Sequence, residues 1–368
     1  MKKIKLIVNT TSQKYPIIIG KGIISKISKI ISDNSIKFEK CLLVIDRNIP
    51  KKLLNNLRKS LSHKEIYTIF INANEKNKSQ NTSNTILNFL LKKNFSRQDC
   101  LITVGGGITG DLGSFAASLF KRGLKFINVP TTLLSQVDSS IGGKTGVNTS
   151  LGKNLIGTFY QPKLVVSDIN FLDSLSLREK ICGYGEILKH SLIDNKNFYI
   201  FLNKKFLEIM KLKSPYIEKA IYESCKIKKK VVEKDEKEKN LRKVLNLGHT
   251  FAHAYEASLN YSKTLNHGEA VILGILTAVK FSHYKKILTF KEYKLIRDHI
   301  ENSYLPSNLK NYFSLNDLNK ILSFMSKDKK NKSKKINLIL LKKIGTPLID
   351  NEYNVKDIKL FLKKELVD

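Results

Sequence analysis

Four polar residues recur at helical spacing in the segment RKVLNLGHTFAHAYEA, which is otherwise largely apolar. Arg242, Asn246, His249 and His253 are separated by four, three and four positions. This spacing predicts that all four project from one face of one helix. Burying such groups costs free energy unless a ligand, a metal or hydrogen bonds compensate. The stripe therefore indicates a binding or catalytic site.

Two further candidates lie at apolar helical segments. Glu186 is followed one turn later by Lys189 in YGEILKH, and His267 begins HGEAVILGILTAV. Glu186, His249 and His267 together provide one carboxylate and two imidazoles, the ligand set of a catalytic zinc with one open coordination position. Their separation along the chain does not show that they meet. For each residue alone, a capping or hydrogen-bonding role stays open.

A glycine-rich loop follows the apolar run at residues 101–104. In GGGITGD, Gly105, Gly107 and Gly110 have the spacing of a dinucleotide-binding loop. Such glycines let the backbone approach a diphosphate at a helix N-terminus, and this helix is predicted to start near Asp111. The acidic residue expected about twenty positions later is absent, since residues 128–132 read NVPTT. Nucleotide binding and a structural turn are equally compatible with the loop alone.

The segment at residues 130–162 is polar and rich in glycine, and Asp138 is its one acidic residue. Lys144, Lys153 and Asn154 offer ammonium and amide donors on what are predicted to be loops, as phosphate recognition requires. The segment therefore favours a ligand-lining role over a plain surface loop.

The elements that must position these residues change character along the chain. Four β-rich runs, at residues 40–46, 65–71, 100–107 and 124–130, alternate with helical stretches, which predicts a parallel sheet with crossover helices. From about residue 175 the pattern is helical until INLILL at residues 336–341. We predict an α/β nucleotide-binding domain with a Rossmann-like sheet at residues 1–174. A mainly α-helical domain is predicted at residues 175–368.

The charge of the chain bears on which kind of partner it binds. The 368-residue chain has 65 Lys and Arg against 32 Asp and Glu, a net charge of +33. Only seven of these are arginines, and the lysine excess accompanies many Asn and Ile residues, all of which have codons rich in A and T. We therefore do not expect nucleic acid as a partner, and an anionic small substrate fits the charge equally well.

The expected compartment is the cytoplasm. The four cysteines are far apart with no C-x-x-C pair, so neither a disulfide framework nor a thiolate zinc site is indicated. The apolar stretch near the N-terminus is shorter than a signal-peptide core. The longest apolar segment, residues 270–279, is about half of a bilayer span and predicts a buried core helix.

Taken together, six motifs resemble the 3-dehydroquinate synthase family of sugar phosphate cyclases. In order they are GGGITGDLGSFAAS, FINVPTTLLSQVDSSIGGKTGVN, LGKNLIGTFYQP, GEILKH, LNLGHTFAHAYEA and HGEAV. The resemblance covers the chain from about its fourth residue. It implies conversion of 3-deoxy-arabino-heptulosonate 7-phosphate to 3-dehydroquinate and phosphate. It also implies NAD+, one divalent metal (Zn2+ or Co2+) and a homodimer.

The resemblance also implies a role for individual residues. The metal ligands would be Glu186, His249 and His267. NAD would contact Asp46, Glu75, Lys78, Gly106, Gly107, Ile108, Thr109, Gly110, Asp111, Thr131, Thr132, Asp138, Lys144, Lys153, Phe171, Leu172, Asp173 and Ser174. The substrate and its phosphate would contact Lys144, Asn154, Lys189, Lys228, Arg242, Asn246, His253 and either Lys329 or Lys330. Arg122 would reach the phosphate in the partner subunit's site.

The segment that the resemblance assigns to adenosine contacts departs from the family pattern. The acidic Asp-Gly-Glu element of the family is NANEKNKS at residues 72–79, which keeps only Glu75 and Lys78.

Three alternatives stay open from the sequence. Another sugar phosphate cyclase, such as a 2-deoxy-scyllo-inosose synthase, would share NAD, metal and most of the site. A metal-dependent polyol dehydrogenase of related fold would accumulate NADH and release no phosphate. If the chain were a basic nucleic-acid-binding protein, Glu186, His249 and His267 would have no functional role.

Overall fold

A computed structural model describes residues 3–327 and 335–367. The described chain forms two compact units. Unit 1 falls within Met1–Lys180 and Ser214–Lys237, and unit 2 within Ile181–Lys213 and Glu238–Asp368.

The regular elements are numbered in chain order. The strands are β1 (Ile4–Asn9), β2 (Lys14–Gly20), β3 (Lys40–Asp46), β4 (Glu65–Ile71), β5 (Cys100–Gly105), β6 (Lys125–Pro130), β7 (Val147–Thr149), β8 (Gly152–Ile156), β9 (Leu164–Asp168), β10 (Lys335–Lys343) and β11 (Thr346–Asn354). The α-helices are α1 (Ile27–Asp33), α2 (Lys51–Ser60), α3 (Gln80–Lys92), α4 (Gly107–Leu119), α5 (Leu177–Asp194), α6 (Lys196–Met210), α7 (Tyr216–Lys234), α8 (His249–Ser258), α9 (His267–Tyr284), α10 (Phe290–Asn302), α11 (Leu318–Lys327) and α12 (Val355–Val367).

Unit 1 is built on a seven-stranded sheet of order β1-β2-β9-β6-β5-β3-β4. All neighbouring strands are parallel except β1 and β2. Alternate residues of β3 belong to two different apolar clusters. Leu43 and Ile45 pack in one, and Leu42 and Val44 pack in the other. Because side chains of a strand alternate between faces, the sheet is buried on both sides. After β4 the chain returns past β3 to form β5, so the strand order reverses between β3 and β5.

The four predicted strands of unit 1 correspond to β3, β4, β5 and β6, and the expected α/β class with a parallel sheet is confirmed. The helix after the glycine loop begins at Gly107, not near Asp111, because Gly106 lets the chain turn from β5 directly into α4. Lys153 and Asn154 lie on strand β8, which pairs with β7, and not on a loop as predicted.

One helix of unit 1 lies beyond the predicted boundary at residue 174. Ser214–Lys237, which contains α7, belongs to unit 1. Its Cys225 Sγ donates a hydrogen bond to the Gln136 carbonyl at 3.3 Å, and Lys228 Nζ donates to the Asp138 carbonyl at 2.7 Å. A single division of the chain therefore does not describe its compact units, because α7 packs on the turn after β6.

Unit 2 is mainly helical and ends in a hairpin and a helix. Residues 270–279 are buried within α9, as expected of a core helix. The predicted strand at residues 336–341 lies inside β10, which pairs with β11 in antiparallel register. Across the described ranges, the helices include none with the length and hydropathy needed to cross a membrane.

Candidate active site

Three side chains from three helices of unit 2 converge. They are Glu186 of α5, His249 of α8 and His267 of α9, and their candidate ligand atoms all lie within 4.8 Å of one another. Glu186 Oε1 is 3.6 Å from His249 Nε2. The structure thus brings together three residues whose meeting the chain separation alone could not show. A carboxylate and two imidazoles are suited to a divalent transition metal.

The hydrogen bonds of the two imidazoles define which nitrogen of each ring keeps a lone pair. His249 Nδ1 is 3.3 Å from the Leu247 carbonyl, and His267 Nδ1 is 3.1 Å from Glu256 Oε2. A carbonyl and an ionised carboxylate only accept, so each Nδ1 carries the proton and donates. In the neutral rings both Nε2 atoms therefore keep a lone pair for a cation.

Charge is concentrated around Glu186. Its side chain is buried and its Oε2 contacts the ammonium of buried Lys189, one turn later on α5. Burial lowers the pKa of His249 well below its ordinary value, and the positive charge of Lys189 adds to this effect. Burial also opposes protonation of His267, but the hydrogen bond and charge of Glu256 outweigh it, so the pKa of His267 is raised. His249 is consequently neutral at pH 7.

The predicted polar stripe is divided by Gly248 and does not lie on one helix. Arg242 and Asn246 lie on the 3₁₀ turn Leu241–Asn246, whereas α8 begins at His249. Gly248 has φ +79°, and a Cβ atom there would be 2.5 Å from the backbone nitrogen of Ile275 in α9. The prediction of a single helical face was wrong because α8 approaches α9 too closely for an uninterrupted helix.

The three residues of this stripe other than His249 lie in different environments. Arg242 is buried, and Asn246 Nδ2 donates to Glu238 Oε1 at 3.4 Å. His253 is exposed, and its ring centroid is 5.4 Å from that of His249 and 6.2 Å from that of His267. His253 is therefore accessible beside the cluster without being buried in it.

The first turn of α9 fixes the position of His267. Asn266 is the N-cap, and its side chain accepts from the Glu269 backbone N–H while the Glu269 carboxylate accepts from the Asn266 N–H. Gly268 lies against α5, and a Cβ atom there would be 2.1 Å from Cys182 Cα. The capped helix start and this close approach place His267 next to the helix that carries Glu186.

The predicted NAD contacts of unit 1 follow the carboxyl ends of its parallel strands. Asp46 ends β3, residues 106–111 follow β5, residues 131–132 follow β6, and residues 171–174 follow β9. Ligands of open α/β sheets bind at this edge, at the point where the strand order reverses. That point lies between β3 and β5, next to Asp46 and the glycine loop.

Residues of the divergent segment 72–79 contact the glycine-loop helix. Lys78 Nζ is 2.5 Å from Asp111 Oδ2 and 2.5 Å from Asn154 Oδ1. Lys153 Nζ is 3.3 Å from Glu75 Oε1. Burial raises the pKa of Asp111, and the charge of Lys78 partly offsets this effect. Five predicted site residues from separate parts of unit 1 therefore form one contiguous polar cluster.

A second polar contact in unit 1 joins the turn after β6 to α7. Asp138 Oδ1 is 2.6 Å from Lys228 Nζ, and the Lys228 side chain is buried. The Thr131 N–H donates to the Gly105 carbonyl at 3.0 Å, and Thr132 Oγ1 is 2.9 Å from Ser135 Oγ. These bonds hold the turn after β6 beside the glycine loop.

The remaining predicted residues have the following positions in the structure. Phe171 and Leu172 are buried, so their side chains are not exposed to a ligand. Lys144 is exposed and bridges Phe159 through its backbone. Arg122 is exposed with φ +64°. Lys329 and Lys330 lie outside the described residues.

Glu256 was not among the predicted residues, although its carboxylate hydrogen bonds to His267. It stands seven positions after His249 and three after His253 in HTFAHAYE. Positions with this spacing share a helical face. The signal was therefore present in the sequence.

Solved structures show which known proteins share this fold. The chain superposes on 2-deoxy-scyllo-inosose synthase complexed with carbaglucose-6-phosphate, NAD+ and Co2+ with a TM-score of 0.87, at 22% identity over 98% of this chain and 100% of that chain. The 2-epi-5-epi-valiolone synthase of Streptomyces hygroscopicus, with NAD+ and Zn2+ bound, gives a TM-score of 0.86, at 22% identity over 98% of this chain and 99% of that chain. The fold is that of the sugar phosphate cyclases.

Sequence comparison shows the family to which the chain belongs. Residues 68–182 match the 3-dehydroquinate synthase N-terminal family and residues 183–331 match the 3-dehydroquinate synthase C-terminal family. The chain is 62% identical over 366 residues to a 3-dehydroquinate synthase of Pelagibacter ubique, covering 100% of both chains. The chain belongs to the 3-dehydroquinate synthase family, whose members are phosphate-eliminating cyclases and thus lyases.

Proposed function

We propose that this protein converts 3-deoxy-arabino-heptulosonate 7-phosphate to 3-dehydroquinate and phosphate, using NAD+ and one divalent metal. The observation that carries the proposal is the convergence of Glu186, His249 and His267 within 4.8 Å in a chain of this family. The related cyclases of known structure contain NAD+ with Co2+ or Zn2+.

The residues present fit a metal of this kind. Glu186 offers a buried carboxylate, and the Nδ1 hydrogen bonds of His249 and His267 leave both Nε2 lone pairs available to a cation. Three protein ligands leave a position open for substrate oxygen. When bound, the metal would lower the pKa of a substrate alcohol and polarise the ketone formed from it.

The glycine loop fits a dinucleotide. Gly106 is the N-cap of α4 with an extended backbone, and it has no side chain over the first-turn N–H groups. These groups and the helix dipole favour a diphosphate. We assign the NAD contacts to the carboxyl edge of the sheet, with Glu75, Lys78, Asp111 and Lys153 supporting the adenosine side. NAD would supply reversible hydride transfer, so that it is regenerated in each turnover.

The remaining predicted residues would bind substrate and move protons. We assign recognition of the anionic substrate and its phosphate to Lys144, Asn154, Lys189, Lys228, Arg242, Asn246, His253 and either Lys329 or Lys330. The basic groups among them would stabilise the charge on the departing phosphate. Exposed His253, next to the metal ligands, is the side chain best placed to exchange protons.

We propose a homodimer in which Arg122 reaches the partner's site. Large apolar side chains are exposed near Arg122, and Leu119, Ile156 and Phe159 are each more than two-fifths exposed. Hydrogen bonds of Thr158 to Ser118 and of Tyr160 to Leu124 hold the segment after β8 against the end of α4. A second copy of the chain would cover this apolar surface.

The proposed compartment is the cytoplasm. All four cysteines are free thiols, and Cys41, Cys100 and Cys225 are buried. Burial raises the pKa of Cys41 and of Cys225 to about 12. Such thiols are unreactive and are typical of a reducing environment.

Product analysis tests the proposal against its nearest alternatives. The protein is incubated separately with 3-deoxy-arabino-heptulosonate 7-phosphate, glucose 6-phosphate and an unphosphorylated polyol, each with NAD+ and Zn2+. We expect a carbocycle and phosphate from the heptulosonate phosphate alone. A carbocycle from glucose 6-phosphate, or NADH accumulating with the polyol, would replace the proposed activity by another cyclase or a dehydrogenase. The His249→Ala variant is the control.

A further inference from the structure

We propose that Glu256 is a positioning residue of the metal site, which orients His267 and raises the affinity of the protein for the metal. This inference rests on the proposed function, because it assigns His267 as a ligand. It adds a fourth side chain whose effect acts through His267.

The geometry joins Glu256 to the cluster through one hydrogen bond. The Glu256 side chain is buried, with 6% of its surface exposed. Its Oε2 lies 3.1 Å from His267 Nδ1. Glu256 belongs to α8, which also carries His249 at its first position. Helix α8 therefore supplies one ligand directly and the support of another on α9.

The two imidazoles are supported in different ways. His249 Nδ1 donates to the backbone carbonyl of Leu247, whereas His267 Nδ1 donates to a carboxylate. A carboxylate fixes the imidazole tautomer and increases the basicity of the opposite nitrogen, which strengthens its bond to a metal. Of the two imidazoles, His267 is therefore the one whose orienting hydrogen bond can be removed by substituting a side chain.

The position of His267 at the start of α9 increases the need for this carboxylate. A helix N-terminus carries a partial positive charge, which disfavours a cation nearby. His267 is the first residue of α9, so this partial charge acts in the turn that carries its imidazole. The buried negative charge of Glu256 opposes this repulsion. The Glu256 carboxylate would therefore increase the affinity for the metal in two ways, by orienting His267 and by its negative charge.

A competing role for Glu256 is direct coordination. Ligand atoms of His253, Glu256 and His267 also lie within 4.8 Å of one another. The two roles make different demands on His267, since its two ring nitrogens point in different directions. Positioning requires a proton on Nδ1 and the metal on Nε2, whereas ligation by Glu256 would place the metal on the Nδ1 side of the ring.

Metal titrations of the full-length, metal-stripped protein test the proposal. Co2+ affinity is measured by competition with a chelator for the wild type, Glu256→Ala and Glu256→Gln. The control is Glu365→Gln, which removes one carboxylate charge from unit 2 at the Lys280 ion pair. Glu256→Ala should lower the affinity by about 10- to 100-fold. Glu256→Gln should have a smaller effect because its amide oxygen still accepts from Nδ1, and the control should match the wild type.

Two spectroscopic readouts separate positioning from ligation and from general destabilisation. The absorption spectrum of the saturated Co2+ protein should be the same in the wild type and Glu256→Gln, because the ligands are unchanged. In the metal-free proteins, ¹⁵N-detected tautomer analysis should show His267 protonated on Nδ1 in the wild type and a tautomer mixture in Glu256→Ala.

The outcomes distinguish failure of this inference from failure of the proposed function. Equal Co2+ affinities of wild type and Glu256→Ala would overturn the positioning role. A changed Co2+ spectrum in Glu256→Gln would overturn it in favour of direct ligation. A wild-type protein that binds no Co2+ would instead contradict the metal assignment of the proposed function. If Glu256→Ala does not fold, the isosteric Glu256→Gln still decides between these results.

Discussion

Replacing Gly248 by alanine should damage both the stability of the protein and its metal site. Gly248 has φ +79°, and an added Cβ would lie 2.5 Å from the Ile275 nitrogen and 2.8 Å from the Gly274 carbonyl carbon. Both atoms are backbone of α9, so no side chain can rotate away. The methyl group must therefore push α8 and α9 apart.

The magnitude follows from two contributions. A left-handed backbone conformation costs a non-glycine residue about 1–3 kcal/mol. Overpacking of a well-packed interior costs a further amount of about 1–3 kcal/mol. We expect Gly248→Ala to lower the free energy of unfolding by about 2–6 kcal/mol. Because α8 carries His249 and α9 carries His267, a displacement of more than about 0.5 Å would exceed the tolerance of such a site.

Gly345→Ala is the matched control in the same unit. Gly345 has φ +87°, but the atoms nearest to its added Cβ are 3.5 Å away, an ordinary contact. This variant has the backbone strain without the clash, and its expected loss is about 1–3 kcal/mol. Urea unfolding of the metal-free proteins and chelator competition for Zn2+ measure both effects. Only Gly248→Ala should lose Zn2+ affinity, by more than tenfold. Equal stability and equal Zn2+ affinity of the two variants would refute this account of how α8 and α9 position the ligands.

Three other predictions concern separate parts of the chain. Burial lowers the pKa of His299 from 6.5 to about 4. As the pH falls, this histidine is protonated in the unfolded chain before it is protonated in the folded protein. We therefore expect the free energy of unfolding to decrease by about 3 kcal/mol between pH 7 and pH 4. Urea unfolding across this range should show that part of the loss in the wild type but not in His299→Gln. Lys78→Met removes the ammonium that contacts both Asp111 and Asn154. We expect fluorescence titrations to show that NAD+ affinity falls about tenfold, while Zn2+ affinity is unchanged. Unaltered NAD+ binding would show that Lys78 is not part of the cofactor site. Arg122→Ala and His249→Ala should each be inactive alone and regain activity when mixed subunits reassociate, whereas the absence of recovery would contradict the role of Arg122 in the partner's site.

The sequence was informative where pattern and chemistry coincide. The apolar runs that became β3, β5 and β6 are buried strands, and their neighbouring glycines mark the turn into α4. Family motifs led to Glu186, His249 and His267, which the structure brings together. Alternation of strands and helices sufficed for the class of fold.

The errors have a common physical cause, which is that tertiary contacts override local spacing. The spacing of Arg242, Asn246, His249 and His253 suggested one helix, but the approach of α8 to α9 requires a left-handed residue at Gly248. Helix α7 has an amphipathic pattern like its neighbours in sequence, and tertiary contacts such as those with Gln136 and Asp138 show that it belongs to unit 1. Strand β9 is short, and its pairing with β2 and β6 depends on residues distant in the chain.

Phosphate release with a trace of NAD+ tests the central claim most directly. The protein is given an excess of 3-deoxy-arabino-heptulosonate 7-phosphate over NAD+, and phosphate and NADH are measured before and after metal removal with a chelator. The account predicts many phosphates released for each NAD+ with no net NADH, loss of this activity on chelation, and recovery with Zn2+ or Co2+. Phosphate release that persists without metal, or NADH that accumulates in proportion to product, would contradict it.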